Sequence, residues 1–158
     1  NTDAEGRLVL SDGLAYATEK LKLSPVVDAA TLTGAVIVAL GSHRTGVFSN
    51  DPALSDLLHQ SGVETGEKNW LIPMDDDNRE QIKSDWADIK NSGGRPAGSI
   101  TAALFLSNFV GKTPWAHLDI AGTSHMGDFK ERGYHNKWGS GTPTRTFVNL
   151  ALALAERG

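Results

Sequence analysis

The sequence contains no cysteine, which excludes a disulfide framework and a metal site built from thiolates. It also has no apolar run of membrane-spanning length, so no membrane partner is predicted. Its 15 Lys and Arg residues are outnumbered by 19 Asp and Glu residues, and the net charge of −4 argues against a nucleic-acid surface. No repeat, low-complexity segment or domain boundary is found. With 39% hydrophobic residues in 158, the chain can bury one core.

The first seven residues place two carboxylates and a guanidinium close together, just before a helical pattern. Asp3 and Glu5 are two residues apart, and Arg7 follows two residues later. On an extended or turning backbone such side chains leave on the same side, so the carboxylates could converge on a metal while Arg7 reaches an anion. Carboxylate oxygens suit Mg, Mn or Zn. The alternative is that acidic residues simply favour a helix N-terminus, and spacing alone leaves both interpretations open.

Helix and strand patterns alternate along the chain, which predicts an α/β fold with a mixed, mainly parallel sheet flanked by helices. Strands are predicted at residues 26–30, 45–49 and 115–120. Helices are predicted after the acidic motif, at 52–63 with Asp51 as cap, at 98–110 and at 144–157. The last helix is predicted to bury Phe147, Leu150, Ala151 and Leu154. Residues 69–96, apart from a short helix at 78–83, and residues 121–142 are predicted to be loops.

Ligands of open α/β sheets gather at the C-terminal ends of the strands. This rule predicts that Asp3, Glu5 and Arg7 share one rim with the loops at 31–34 and 121–124.

Other constellations are less favoured as sites. His117 and Asp119 lie at strand spacing, but no Gly-x-Ser-x-Gly elbow accompanies them, so a structural histidine is predicted instead of a triad. His125 and His135 lack ligand spacing and are predicted to be exposed. The glycine-rich turn at 93–99 lacks the Lys-Ser/Thr ending of a phosphate loop, which favours a plain turn with a helix cap. Tryptophans predicted as core or subunit-contact residues are Trp70, Trp86, Trp115 and Trp138.

Six ordered motifs cover essentially the whole chain. They are NTDAEGRLVLSDGLAYA at 1–17, DAATLTG at 28–34, ADIKN at 87–91, AGSITAA at 97–103, AHLDIAG at 116–122 and PTRT at 143–146. In this order they resemble the leucine (cytosol) aminopeptidase family of dinuclear metallo-exopeptidases. Because position 1 is Asn and no strand precedes the first motif, residues 1–158 are expected to be the C-terminal part of a single catalytic domain whose upstream part is absent.

The resemblance implies a site with two divalent metal ions, Zn or Mn with Mg possible, and a bicarbonate. The residue matching Asp3 binds one metal in the family, and the one matching Glu5 bridges both. Arg7 is implied as the catalytic residue, and it holds the bicarbonate together with Gly6 and Leu32. The remaining ligands, a Lys and two Asp, and a catalytic Lys come from the upstream segment.

The resemblance also implies how a peptide would bind. The residues implied to contact substrate are Thr31, Leu32, Thr33, Gly34 and Ala121. The loop at 31–34 would bond the peptide main chain and, with Ala121, line the pocket for the first side chain. Ser124 stands where some members carry a larger apolar residue.

The implied activity is hydrolysis of the amino-terminal residue, leucine-like by preference, from peptides by a water activated by two metals. A cytoplasmic homo-hexamer is implied for the complete enzyme, and the fragment alone is expected to be inactive. Two alternatives stay open. One is a two-metal phosphoesterase that uses the glycine-rich loop and Arg95 as phosphate contacts. The other is a non-catalytic, oligomer-forming fragment.

Overall fold

Four strands form one mixed sheet in the computed structural model of the protein, which describes residues 1–125 and 138–156. They are β1 (Val26–Ala30), β2 (Thr45–Ser49), β3 (Asn69–Leu71) and β4 (Trp115–Asp119), in the spatial order β1-β4-β2-β3. β4 is parallel to β1 and antiparallel to β2, and β3 is parallel to β2. The predicted mixed, mainly parallel sheet is therefore confirmed, with β1 and β2 at their predicted bounds.

Within the described residues, five α-helices cover the two faces of the sheet. They are α1 (Gly6–Ala15), α2 (Gly34–Leu40), α3 (Pro52–Thr65), α4 (Gly98–Ser107) and α5 (Thr144–Ala155). A wider, π-type turn at Tyr16–Lys20 continues α1. On one face, Leu14 of α1 and Leu104 of α4 pack against Trp115 of β4. On the other face, Leu58 of α3 and Leu150 of α5 pack against the opposite side of β4. None of the helices in the described ranges is long and apolar enough to cross a membrane.

Helix α3 follows its sequence pattern closely. Asp51 caps it as predicted, because the Asp51 carboxylate accepts a hydrogen bond of 2.7 Å from Leu54 N. Leu54, Leu57 and Leu58 are all buried, as their shared helical face predicts. The helix runs two residues beyond its predicted end, and Gly66 then terminates it in the left-handed conformation.

The predicted burial of Ala151 in α5 is wrong, since this residue is exposed. Thr146 and Leu150 form the centre of the buried stripe, and Phe147 and Leu154 are half-buried beside it. Ala151 lies one residue, about 100°, beyond Leu150 around the helix and so falls outside the stripe. The last predicted residue of this helix, 157, lies outside the described residues, as do residues 126–137 of the predicted loop.

Helix α2 and strand β3 were not predicted. Helix α2 has the sequence GAVIVAL, which is rich in β-branched residues of low helix propensity. Strand β3 has three residues and extends the sheet beside β2 within the segment predicted to be loop. The helix predicted at 78–83 is a 3-10 helix at Asp76–Ile82.

The tryptophans divide into one core residue and three surface residues. Trp115 is fully buried, as predicted for a core residue. The exposed fractions of Trp70, Trp86 and Trp138 are 53%, 97% and 71%, so these three are not core residues of this chain.

The N-terminus of α5 is capped by a residue from outside the helix. Pro143 occupies the cap position without a side-chain hydrogen bond. Instead, the buried carboxylate of Glu67 accepts hydrogen bonds from Thr146 N at 2.8 Å and Arg145 Nε at 3.2 Å. Glu67 therefore ties α5 to the chain segment that leads from α3 into β3.

We expect Glu67→Ala to lower the free energy of unfolding by about 1–3 kcal/mol, because it leaves the buried Thr146 N–H without an acceptor. Glu64→Ala is the matched control, since Glu64 bonds Asn149 of the same helix at an exposed position. That variant should change the free energy by less than about 0.5 kcal/mol. Urea unfolding of both variants measures the difference, and equal effects would contradict the cap.

Candidate active site

An open cavity of about 880 Å³ lies where the N-terminal turn, the start of α2 and the start of α4 meet. Five of the predicted site residues line it, namely Asp3, Arg7, Leu32, Thr33 and Gly34. Further parts of the wall come from α2 at Ala35 and residues 38–40, from residues 70–73 at β3, and from Ser92, Gly94, Arg95 and residues 97–101, which lead into α4. The fold therefore brings the acidic N-terminal motif to the loop that follows β1.

Four predicted site residues do not line this cavity in the described part of the chain. Glu5 is exposed at the cap of α1, and Gly6 is the exposed first residue of that helix. Thr31 is exposed, and Ala121 is half-buried in the loop after β4. The predicted single rim is thus observed only in part.

The N-terminal motif adopts a turn. Thr2–Ala4 forms a 3-10 turn, in which the Asn1 side chain accepts a hydrogen bond of 2.9 Å from Asp3 N, and Glu5 has helical backbone angles. The backbone is therefore turning and not extended, which is one of the two conformations considered for this motif. Both side chains are exposed, and neither carboxylate forms a hydrogen bond or ion pair within residues 1–125 and 138–156.

The two carboxylates are suitable ligands for a hard divalent cation, but they are too few to form a complete metal site. Unpaired carboxylate oxygens are the ligands that Mg, Mn and Zn accept. However, no cluster of three or more His, Cys, Asp or Glu side chains in the described ranges could hold a metal. A complete metal site would need ligands in addition to Asp3 and Glu5.

Arg7 is a buried cation beside the cavity, with an exposed fraction of 9%. Its Nη1 donates a hydrogen bond of 2.9 Å to Asn91 O, while its buried Nε has no partner in the described structure. Burial lowers the pKa of the Arg7 guanidinium, and the nearby Asp119 carboxylate opposes this shift. A desolvated guanidinium with an unused donor fits a small anion.

Asp119, the last residue of β4, joins the two loops at this edge of the sheet. Its Oδ1 accepts hydrogen bonds from Leu32 N at 3.1 Å, Thr33 N at 3.4 Å and Ala121 N at 3.2 Å. Its Oδ2 accepts one from Thr33 Oγ1 at 2.6 Å. The exposed fraction of Asp119 is 1%, so its carboxylate bonds the loops and is shielded from solvent. Ala121 is thereby tied to the loop that lines the cavity.

Thr33 and Gly122 fix helix α2 against these loops. Thr33 Oγ1 also accepts a hydrogen bond of 3.2 Å from Val36 N, which caps α2. Gly122 packs against the backbone carbonyl of Gly41 at the other end of α2, so closely that a Cβ would overlap the Gly41 oxygen. Both ends of this short helix are therefore set by the loops that follow β1 and β4.

Asn91 holds the N-terminal turn from the opposite side. Its side-chain amide donates hydrogen bonds to Asn1 O at 2.8 Å and to Ala4 O at 3.2 Å. Its backbone carbonyl accepts the bond from Arg7 described above. Asn91 therefore positions both the acidic motif and the cation.

Sequence reasoning assigned no site role to Asp119 or Asn91. A signal existed for Asp119, because it is a carboxylate at the C-terminal end of a strand, where ligands gather. Asn91 lies in one of the six motifs but has no chemical feature that distinguishes it from an ordinary turn residue.

The predicted structural role of His117 is confirmed. His117 is fully buried, its Nδ1 lies 2.5 Å from Asp28 Oδ1, and its ring stacks on Phe48 and Trp115. His125 is exposed as predicted, whereas position 135 lies outside the described residues.

The glycine-rich turn at 93–99 has no side-chain cap, contrary to prediction. Ala97 occupies the cap position of α4 in the left-handed conformation and forms no capping bond. The turn is therefore plain, and the start of α4 faces the cavity.

The chain is similar to known proteins along nearly its whole length. Residues 1–148 match the model of the cytosol aminopeptidase family, catalytic domain. A probable cytosol aminopeptidase of Desulfotalea psychrophila is 53% identical over 154 residues, which covers 98% of this chain and 30% of that protein. One of Xanthobacter autotrophicus is 54% identical over 150 residues, with 95% and 30% covered. The chain thus spans about a third of the length of these relatives.

Solved structures share the fold. A mutant of tomato leucine aminopeptidase superposes with a TM-score of 0.89 at 40% identity, covering 97% of this chain and 29% of that one. The bottromycin maturation enzyme BotP in complex with Mn superposes with a TM-score of 0.90 at 36% identity, covering 98% and 34%. Fold, motif order and family match agree, and the chain belongs to the cytosol aminopeptidase family.

Proposed function

We propose that residues 1–158 are the C-terminal part of a single metallo-aminopeptidase catalytic domain. The complete enzyme would remove the amino-terminal residue, leucine-like by preference, from peptides. The observation that carries the proposal is the shared cavity, where Asp3 and Arg7 face the loop that follows β1. The names of the curated relatives support the activity and a cytoplasmic location. The homo-hexamer is proposed on the family resemblance alone.

Asp3 and Glu5 would hold part of a pair of divalent ions, Zn or Mn with Mg possible, and the other ligands would come from outside residues 1–158. When bound, such a pair supplies a water of lowered pKa and polarises the scissile carbonyl. The support for this assignment is that both carboxylates are exposed and unpaired in the described structure. The Mn complex of BotP adds support, because that protein shares the fold.

Arg7 would bind a bicarbonate beside the reacting carbonyl. Its unpartnered Nε and desolvated charge support this role. Gly6 lies in the first turn of α1, where backbone N–H groups have no intrahelical acceptor and can bond an anion. Leu32 N already donates to Asp119, so in this structure the bicarbonate would depend mainly on Arg7 and Gly6.

The loop at 31–34 would position the substrate peptide. Leu32 N and Thr33 N are engaged by Asp119, whereas Thr31 and Gly34 are exposed. Exposed main-chain groups next to a cavity are suited to bond an extended peptide. Ala121 would border the pocket for the first side chain from the adjoining loop.

The metal assignment is tested by substitution in the full-length enzyme. Glu5→Gln keeps the size of the side chain but removes the bridging charge, so both metals should be lost and activity with them. Asp3→Asn should chiefly weaken one metal. Mass spectrometry of bound metal and turnover of a leucyl amide measure both effects.

Asp12→Asn is the matched control for these variants, because Asp12 is an exposed acid on α1 that does not line the cavity. It should retain two metals. If Glu5→Gln also retained two tightly bound metals and ordinary activity, Glu5 would not be a ligand.

The phosphoesterase alternative is not favoured. Arg95 and the start of α4 do line the cavity, but the curated relatives reported above are all named as aminopeptidases. Hydrolysis of an aryl phosphate by the metal-loaded enzyme, without hydrolysis of a leucyl amide, would reverse this ranking.

A further inference from the structure

The Asp119 carboxylate has the most hydrogen bonds of the side chains described at the cavity edge, yet it does not line the cavity itself. Its partners are the backbone of Leu32, Thr33 and Ala121 and the Thr33 hydroxyl, all of them at or beside the residues proposed to meet the substrate. A buried carboxylate that accepts several hydrogen bonds forms strong, directional contacts. The loops after β1 and β4 are therefore fixed relative to each other by one side chain.

We propose that Asp119 is a positioning residue that sets the preference for the amino-terminal side chain of the substrate. This inference rests on the proposed function. Asp119 does not touch the peptide. It fixes the spacing between the loop at 31–34 and Ala121, and that spacing determines the size of the side chain that fits between them.

The hydroxyl of Thr33 extends this control to α2. Thr33 Oγ1 donates to Asp119 Oδ2 and accepts from Val36 N, so the carboxylate, the loop and the first turn of α2 form one connected network. Loss of Asp119 would free two backbone N–H groups of the loop at once. A displacement of about 1 Å at a substrate-positioning element is enough to change catalysis about 100-fold.

A purely structural role is the competing explanation, and Asp28 provides the matched control. Asp28 lies on β1, paired with His117, and Ala30 two residues later pairs with Asp119. Its carboxylate contacts His117 Nδ1 and accepts a hydrogen bond of 2.8 Å from Trp115 Nε1, but it contacts neither loop. Asp28→Ala should therefore destabilise the fold without changing the loops.

The experiment compares Asp119→Ala and Asp28→Ala in the full-length, metal-loaded enzyme. For Asp119→Ala we expect the KM for a leucyl amide to rise about tenfold and the ratio of kcat/KM between leucyl and alanyl amides to fall by at least fivefold. A tenfold change corresponds to the loss of about one to two hydrogen bonds. For Asp28→Ala the ratio should remain that of the wild type.

Amide hydrogen exchange gives a second readout that does not depend on activity. Exchange at Leu32 and Thr33 should accelerate in Asp119→Ala and stay slow in Asp28→Ala. If Asp119→Ala does not fold, Asp119→Asn replaces it. The neutral amide oxygen accepts more weakly than the carboxylate, so the same changes are expected at several-fold smaller size.

The proposal is overturned if a folded Asp119 variant keeps both the wild-type substrate ratio and slow exchange, or changes them no more than Asp28→Ala does. Failure of the proposed function gives a different result. In that case the wild-type enzyme would not hydrolyse leucyl amides at all, while the exchange measurement would still report whether Asp119 holds the loops.

Discussion

Arg7→Ala in the full-length enzyme should lower the turnover of a leucyl amide by about 10²–10³-fold, the loss expected when one oxyanion donor is removed. The bound metal should change little, because Arg7 is not a ligand. Added bicarbonate should stimulate the wild type more than the variant, since the proposed bicarbonate site is centred on the guanidinium. Equal stimulation of both would show that Arg7 does not bind the bicarbonate.

The effect of bicarbonate on the Tm provides a readout of Arg7 that is independent of turnover. Because burial lowers this pKa, the charged guanidinium is less favourable in the folded protein than in the unfolded chain. The cost is present at every pH below the lowered pKa and disappears only as the pH rises through it. A bound anion offsets the cost, so bicarbonate at neutral pH should raise the Tm of the wild type more than that of Arg7→Ala.

Arg44→Ala controls for the loss of a partly buried arginine. Arg44 Nη1 donates a hydrogen bond of 3.2 Å to Asn69 O, and its guanidinium lies 5.3 Å from the centre of the Trp70 ring. It resembles Arg7 in bonding a backbone carbonyl, but it does not line the cavity. Its replacement should leave turnover within a few-fold of the wild type. If Arg44→Ala lost as much turnover as Arg7→Ala, the loss in Arg7→Ala would be explained by impaired folding.

The isolated 158-residue chain should hydrolyse leucyl amides negligibly. Asp3 and Glu5 supply too few oxygens to hold two divalent ions, and no larger cluster of ligands exists in the described ranges. The chain also spans about a third of the length of its curated relatives. Binding of Zn or Mn should therefore be weak.

Complementation tests this expectation. Activity should appear only when the upstream segment of the full-length protein is supplied, either in the same chain or as a second fragment. The assay uses the gel-filtered chain with excess Mn and bicarbonate. Robust metal-dependent turnover by the 158 residues alone would show that the site is complete without further segments.

Local sequence rules were sufficient where one strong signal determined an element. β1 and β2 each contain two adjacent residues of high strand propensity, Val26–Val27 and Val47–Phe48, and Asp51 followed by Pro52 marks the start of α3. Helix α2 was missed because its β-branched composition argues against a helix. The capping residue Thr33 was the available signal, but its position within a family motif had already assigned it to a substrate loop.

The composition of the site was easier to predict than its geometry. The motif identified Asp3, Arg7 and the loop after β1, and these do meet at one cavity. The contacts of Asp119 with the loop after β1 and of Asn91 with the N-terminal segment could not be predicted, because they join residues 84–90 positions apart in sequence. Such pairings depend on how the strands, helices and loops pack in three dimensions, which no local pattern contains.

The reversed direction of β2 determines where the chain can be lengthened. Because β2 is antiparallel to β4, the turn after β2 lies beside the start of β4, where Asn50 Oδ1 accepts a hydrogen bond of 2.8 Å from Trp115 N. Asp119 lies at the opposite end of β4. The exposed Gly111–Lys112 turn lies close by in sequence, just before β4. A tag or fluorescent label inserted there would be separated from the cavity by the length of β4. Insertions at this turn should therefore leave the activity unchanged.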